Sequence, residues 1–366
     1  MAAVPPEPSA AGAATTGAGA GRDLDDVLKF VRRCAWMIAL QVATGIAVLT
    51  LIPPDHDDYL AVIGPKVQML ERTEAPRIVF VGGSNLAFGL DSHAVEQQLG
   101  RRVVNMGMGF NMGLRFMLDV IAPRIQKDDL VVLVPEYNLF YGLLDGDERL
   151  IDVLELYPEG LSYIRSKHQI LNMVQNLPRH ARFKIERFLE TVGRPVPADC
   201  VYCPAAFDDL GDNVAHLDRP GKDVAKMEFL RTTSQGVDME AISVVNAFAR
   251  EVERRGAKIV MLFPCVPRVH FDLRHEAIGR LYAKLREKLE VPMLSTPEDY
   301  VYPLDYFYDW VYHLNRQGRE IRTAEVIRQL RPALEGQAPA AASAAADSAG
   351  KPRDPAGGAS SSRAAI

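Results

Sequence analysis

Residues 77–89 read RIVFVGGSNLAFG, and the fold is decided there. From Arg77 to Gly82 the run is apolar and β-branched, shows no polar alternation, and is bounded by Pro76 and Gly83, which is the pattern of a strand buried on both faces. Comparable runs follow at residues 103–105, 130–134 (LVVLV), 258–263 (KIVMLF) and, briefly, 291–294. Amphipathic segments at 92–99, 112–124, 236–255 and 272–289 lie between them, and 317–330 closes the series. Alternation of this kind predicts an α/β fold, a three-layer α/β/α arrangement around a parallel sheet, in which ligands bind beyond the carboxyl ends of the strands.

Polar and glycine residues gather at those ends. Gly82-Gly83-Ser84-Asn85 follows the first strand, Asn105 to Asn111 (NMGMGFN) the second, and Pro135-Glu136-Tyr137-Asn138 the third; Asp309 and His313 stand near the end of the chain in DWVYHLNRQG. A serine at one strand end and an Asp/His pair far along the chain are the parts of a nucleophile, base and orienter. Ser84 becomes nucleophilic only when a base takes its proton, and His313 has the side chain suited to that. Asp309 would hold the imidazole tautomer, with Asp305 as a competing orienter. A tetrahedral oxyanion needs donors, here expected from the Ser84 N–H, a glycine N–H at 107 or 109 and the Asn138 amide. Gly107 and Gly109 also permit close approach of backbone to substrate. Each residue alone has a plainer role: Ser84 as a turn residue, Asn138 as a helix cap, His313 as a structural histidine.

Together they resemble the SGNH (GDSL-type) hydrolase superfamily, in which a serine, a glycine and an asparagine follow strands one, two and three, and an Asp and His close the chain. GGSN stands where that family has its GDS block, NMGMG supplies Gly107 or Gly109, PEYN supplies Asn138, and DWVYH supplies Asp309 and His313. The resemblance covers residues 76–138 and about 257–330. It implies a flavodoxin-like sheet and acyl transfer through a seryl ester, with no metal and no cofactor. Three features depart from the family: Gly83 precedes the serine instead of Asp, Asn85 follows it instead of Leu, and three residues rather than two separate Asp309 from His313. A single span followed by an exported domain ending in HLNRQGRE is similar to membrane-anchored members linked to acyl modification of cell-surface polysaccharides. That implies a carbohydrate or acyl-ester substrate, esterase or O-acyltransferase activity, and a membrane-bound acyl-transfer partner. A catalytically silent scaffold that binds polysaccharide is the other reading.

The flanks bear on location. CAWMIALQVATGIAVLTLI, residues 34–52, holds no charge and is close to the roughly 20 residues that cross a hydrocarbon core. Lys29, Arg32 and Arg33 precede it, while Pro53, Pro54, Asp55, Asp57 and Asp58 follow, so the positive-inside rule places the N-terminus in the cytoplasm and the domain at 53–334 on the periplasmic side of the inner membrane. A cleaved signal peptide and a buried helix are the alternatives. Residues 1–22 and 335–366 are rich in Ala, Gly, Pro, Ser and Thr and are expected as disordered tails. With 42 Lys+Arg against 47 Asp+Glu, the chain lacks the broad basic surface of a nucleic-acid binder.

Two further signals are weaker. Cys200 and Cys203 form a C-x-x-C in a Pro-rich stretch with no second ligand pair, which suits a local disulfide or inert thiols more than a zinc or redox site. Gly107-x-Gly109-x-x-x-Gly113, with Glu136 beyond it, imitates a dinucleotide fingerprint but lies on the second strand and has three residues before its last glycine. The insert at 139–235 is too long for a connection in a compact domain and is expected to be a lid or acceptor-binding element. Within it, segments 161–176 and 180–192 look helical, and Arg179, His180, Arg182, Lys184 and Arg187 form a basic cluster, either a solvated face or a contact for anionic sugars or lipid head groups.

Overall fold

A computed structural model describes residues 18–194, 197–230 and 236–335. Its centre is a parallel sheet of β1 (Arg77–Gly82), β2 (Arg102–Gly107), β3 (Leu130–Val134) and β4 (Lys258–Met261), in the order β2–β1–β3–β4. Every residue of β1 and β3 is buried, as the unbroken apolar runs require. The expected strand at 291–294 is reduced to one parallel bridge, Met261↔Met293, at the β4 edge. A two-residue pair, β5 (Val266–Pro267) with β6 (Val301–Tyr302), lies outside the main sheet.

The helices are α1 (Ala18–Leu51), α2 (Ile63–Arg72), α3 (Ser84–Ala87), α4 (Ser92–Leu99), α5 (Leu114–Ile121), α6 (Leu150–Leu156), α7 (Lys167–Thr191), α8 (Met239–Arg254), α9 (Arg268–Lys288) and α10 (Arg316–Leu334). α5 is shorter than the segment 112–124 because Gly113, at φ 80°, delays its start and a 3₁₀ turn containing Pro123 ends it. The two helices expected in the insert are one, α7. It opens at Ser166 with a capping box to Gln169 and runs through Pro178, held by side-chain bonds on either side of the proline.

α1 is 34 residues long, and its segment Leu24–Leu51 is long and apolar enough to cross a membrane; none of its most apolar window is buried in the domain. It starts at Ala18, so residues 18–22 are helical rather than the end of a tail: Ala and Gly there extend the helix that the apolar run nucleates. The rest of the two expected tails, residues 1–17 and 336–366, falls outside the described residues.

What positions the site is the point where strand order reverses. β2 and β3 flank β1 on opposite sides, so the chain leaves β1 and β3 into one crevice at their carboxyl ends. The register pairs Gly82 with both Gly107 and Val134. A Cβ on Gly82 would stand 2.3 Å from the Val134 carbonyl oxygen, so only glycine lets the strands pair to their last residue. Beneath β2, buried Lys66 donates to the carbonyls of Asn105, Gly107 and Gly211, tying β2 to the insert. At the opposite end Arg77 and Asp129 form a buried ion pair. Gly82→Ala is expected to cost about 1–3 kcal/mol by overpacking, read as a lowered midpoint in urea, whereas Gly100→Ala, at an exposed helix end with φ 65° and no neighbour near its Cβ, costs only its backbone strain.

Candidate active site

α3 begins at Ser84 directly after β1, and this strand-to-helix turn raises the hydroxyl to the floor of a cleft of about 460 Å³. Ser84 Oγ lies 2.9 Å from His313 Nε2, and His313 Nδ1 lies 3.0 Å from Asp309 Oδ1. A carboxylate only accepts, so Nδ1 carries the proton and Nε2 is free to accept from Ser84. Asp309 and His313 do not share a helical face. They meet across a loop closed by the Phe307↔Leu314 bridge and by Tyr308 N–H donating to the His313 carbonyl at 2.8 Å. Three intervening residues therefore suffice for the contact. Asp305 is exposed and does not touch His313; its carbonyl instead accepts from Asn315.

The imidazole is stacked on Phe88, ring centroids 3.9 Å apart and planes within 9°. Burial lowers the His313 pKa against the opposing pull of Asp309, so the ring is neutral at neutral pH and able to act as a base. Burial also pushes Asp309 up, but hydrogen bonds from His313 and Tyr202 and the charge of Lys222 outweigh it and hold the carboxyl below its ordinary value. Nearby His216 is driven down to about 4 by burial and bonds the Leu314 carbonyl at 2.9 Å, which leaves it neutral and structural.

The expected oxyanion groups separate. Gly109 lines the cleft with Ser84, while Gly107 does not: its N–H donates to Asn105 Oδ1 at 2.8 Å and its Cα packs under α3, where a Cβ would stand 2.6 Å from Ala87 N. Gly107 is needed for that packing and has no free donor to offer. Asn138 sits in a 3₁₀ turn after β3 and does not line the cleft, and its Oδ1 is buried without a partner. The amide that does line it is Asn111, which also donates to Asp147. Among the described residues the N–H groups of Ser84 and Gly109 make no hydrogen bond, and so remain as candidate donors. Gly113 is explained by packing, since a Cβ there would strike Gly146 N at 2.1 Å, which accounts for the glycine pattern without a phosphate.

Two functional residues were not singled out from the sequence as part of this site. Glu136, fully buried after β3, accepts from Asn85 N–H at 2.9 Å and lies 3.2 Å from Ser84 Oγ. Gly83 leaves room for it, because a Cβ would stand 2.4 Å from the Glu136 carboxyl carbon. Burial raises Glu136 to about 7 against those hydrogen bonds and the charge of Arg322, so below that pH it is a neutral acid that can donate to Ser84 while Ser84 donates to His313. Tyr202 comes from the C-x-x-C, whose sulfurs are paired in a disulfide. Its hydroxyl lies 2.9 and 2.8 Å from the two Asp309 oxygens. PEYN and CVYC were both visible as motifs, but nothing in the spacing told which acid or phenol would reach the serine relay.

A wider polar depression of about 600 Å³, lined by Asp145, Glu148, His168 and Arg179, holds none of these groups. Of the described residues, His93, Asp208 and Asp209 are close enough together to hold a cation, but they are not part of the cleft. Neither a family model nor a curated protein matches this chain.

Two outcomes are expected. Because the folded pKa of Glu136 lies above its ordinary 4.5, its contribution to stability is complete below about 4.5 and is lost as pH rises through 7. The Tm of the wild type should thus fall between pH 5 and 8 relative to Glu136→Gln, and parallel Tm curves would refute the buried-acid assignment. Tyr202→Phe removes a hydrogen bond to a charged acceptor and should lower any Ser84-dependent rate by about tenfold, with the fold retained by circular dichroism.

Proposed function

We propose that this chain is a membrane-anchored, SGNH-type serine esterase or O-acyltransferase with its domain on the extracytoplasmic side, acting on a carbohydrate through a seryl ester. The observation that carries this reading is the continuous line from Ser84 Oγ to His313 Nε2 at 2.9 Å and from His313 Nδ1 to Asp309 at 3.0 Å, at the strand-order reversal of a parallel sheet. His313 takes the Ser84 proton as Oγ attacks an acyl carbonyl. The imidazolium then gives that proton to the departing oxygen. A second cycle transfers the acyl group to water or to a sugar hydroxyl, with Asp309 holding the tautomer and Tyr202 holding Asp309. The oxyanion would meet the free N–H groups of Ser84 and Gly109.

The cleft supports a sugar-sized substrate. Tyr59, Phe110, Phe183 and Trp310 give it aromatic walls on which a pyranose ring can lie, and Arg149 and Arg187 stand at its side. Both arginines are held by acids, Arg149 by Asp58 and Asp152 and Arg187 by Asp55, so they present oriented N–H groups more than free charge. The span, the flanking charges and the resemblance to polysaccharide-modifying members support the extracytoplasmic placement and a membrane-bound acyl-transfer partner.

The test is labelling of the detergent-solubilised protein with a fluorophosphonate. Wild type should label, Ser84→Ala should not, and His313→Ala should label about 10²–10⁴-fold more slowly; absence of Ser84-dependent labelling on folded protein would support the silent scaffold instead. Hydrolysis of p-nitrophenyl acetate should rise with pH on a limb below 6.5, as His313 loses its proton, and fall again near pH 7 as Glu136 ionises beside the serine. Glu136→Gln should remove the falling limb and keep the rising one.

A further inference from the structure

α7 is packed inside out. Its protein-facing side carries Gln169, Asn176, Arg179, His180, Lys184 and Arg187, while Ile170, Val174, Leu177, Ile185, Leu189 and Val192 point outward, a spacing that puts them along one side of the helix. His180 and Lys184 are 3% and 4% exposed, whereas Val174 and Leu189 are 57% and 65% exposed. The inward cations are each paired with an acid. Arg179 and His180 bond Asp152 at 2.6 Å each, Lys184 pairs with Glu155, and Arg187 pairs with Asp55 at 2.5 Å. Four members of the expected basic cluster, Arg179, His180, Lys184 and Arg187, therefore fix α7 to α6 and to the segment after α1, while Arg182 is exposed and pairs with Glu186 of the same helix. A soluble domain would place these two sides the other way round, since the outward side chains gain nothing from water.

The same contacts say what covers that side. Lys184 Nζ donates to the Leu49 carbonyl in the last turn of α1 at 3.4 Å, and Arg187 holds Asp55 just beyond it. α7 is thus fastened at the level where α1 ends. The apolar side chains of α1 are exposed over most of its length from Leu24 to Leu51, with Ala47, Val48 and Leu49 half-buried near its end. If α1 crosses a bilayer, its final turn lies at the boundary between acyl chains and head groups, and α7 is held at that depth with its apolar side uncovered.

We infer that α7 is an interfacial membrane helix, seated with its outward apolar side in the acyl boundary of the bilayer that α1 spans. The inference rests on α1 spanning a bilayer and is independent of whether Ser84 is a nucleophile. It has a consequence for the cleft, because Phe183 and Arg187 of α7 line it together with Ser84. One wall of the cleft is then a membrane-seated helix, and a substrate or acyl donor reaches Ser84 from the lipid surface rather than from bulk solvent.

The experiment uses the full-length chain, in a Cys34→Ser background, reconstituted into vesicles of phosphatidylethanolamine and phosphatidylglycerol at 3:1. A fluorophore is attached at Val174→Cys or Leu189→Cys, with Glu190→Cys as an exposed polar position off the apolar side. Doxyl-labelled lipids should quench the probes at 174 and 189 at least about threefold more than the probe at 190, and iodide should show the reverse order. Equal iodide access at all three sites would overturn the inference. So would shielding at 174 and 189 that depends on protein-to-lipid ratio and is accompanied by cross-linking between copies, which would assign the apolar side to a second copy. Alkaline carbonate extraction of the same vesicles reports on α1 separately, and release of the protein would remove the anchor and overturn the inference with it. Fluorophosphonate labelling of Ser84 is not moved by any of these outcomes, so failure here and failure of the catalytic reading are distinguishable.

Discussion

The close pairing of β1 with β3 is the constraint on which the site depends. Gly82 lets the two strands stay in register to the last residue, and Gly83 then brings the start of α3 against Glu136. A larger residue at either position would separate the serine turn from the β3 exit. The turn is held further from behind, where Arg322 of α10 bonds both the carbonyl and the Oδ1 of Asn85. Asn85 and Gly83, which look like departures from a family motif, are thus the residues that fit Ser84 between a buried acid and a buried guanidinium. The result is a hydroxyl held between Glu136 and His313, a placement that lowers the entropic cost of reaching a reacting geometry.

The insert supplies the rest of the cleft. Asp212 accepts from Ser92 N–H and Oγ, from Asn105 Nδ2 and from Arg319 Nη2, so a single buried carboxyl joins α4, β2, α10 and the insert. With every partner in place this network specifies one arrangement, and losing one partner would leave a buried charge short of its bonds. That anchoring lets the loop around the Cys200–Cys203 disulfide present Tyr202 to Asp309 and lets α7 contribute Phe183 and Arg187. The insert is therefore a built wall of the cleft.

Much of the charge on α7 is used internally. α7 turns its cations inward to Asp152, Glu155 and Asp55, and leaves apolar side chains outside. The near balance of 42 basic and 47 acidic residues conceals that arrangement, because composition does not record which face a residue occupies. α1 and the outer side of α7 both expose a row of large apolar side chains.

The sequence by itself determined the strands β1, β3 and β4, the apolar length of α1 and the side chains Ser84 and His313, because unbroken β-branched runs, a charge-free stretch and a serine at a strand end with a histidine far along the chain are readable in the pattern. It also left readable that 139–235 is more than a connection. Only the tertiary structure decided between Gly107 and Gly109, removed Asn138 from the cleft in favour of Asn111, chose Asp309 over Asp305, and brought in Glu136 and Tyr202. Glu136 lies 52 positions from Ser84 and Tyr202 lies 107 from Asp309, distances that strand register and buried networks set, whereas the choice of Asp309 over Asp305 is made by local loop closure. The inverted face of α7 was hidden for a related reason: an amphipathic pattern shows that a helix has two sides, but not which of them meets the protein.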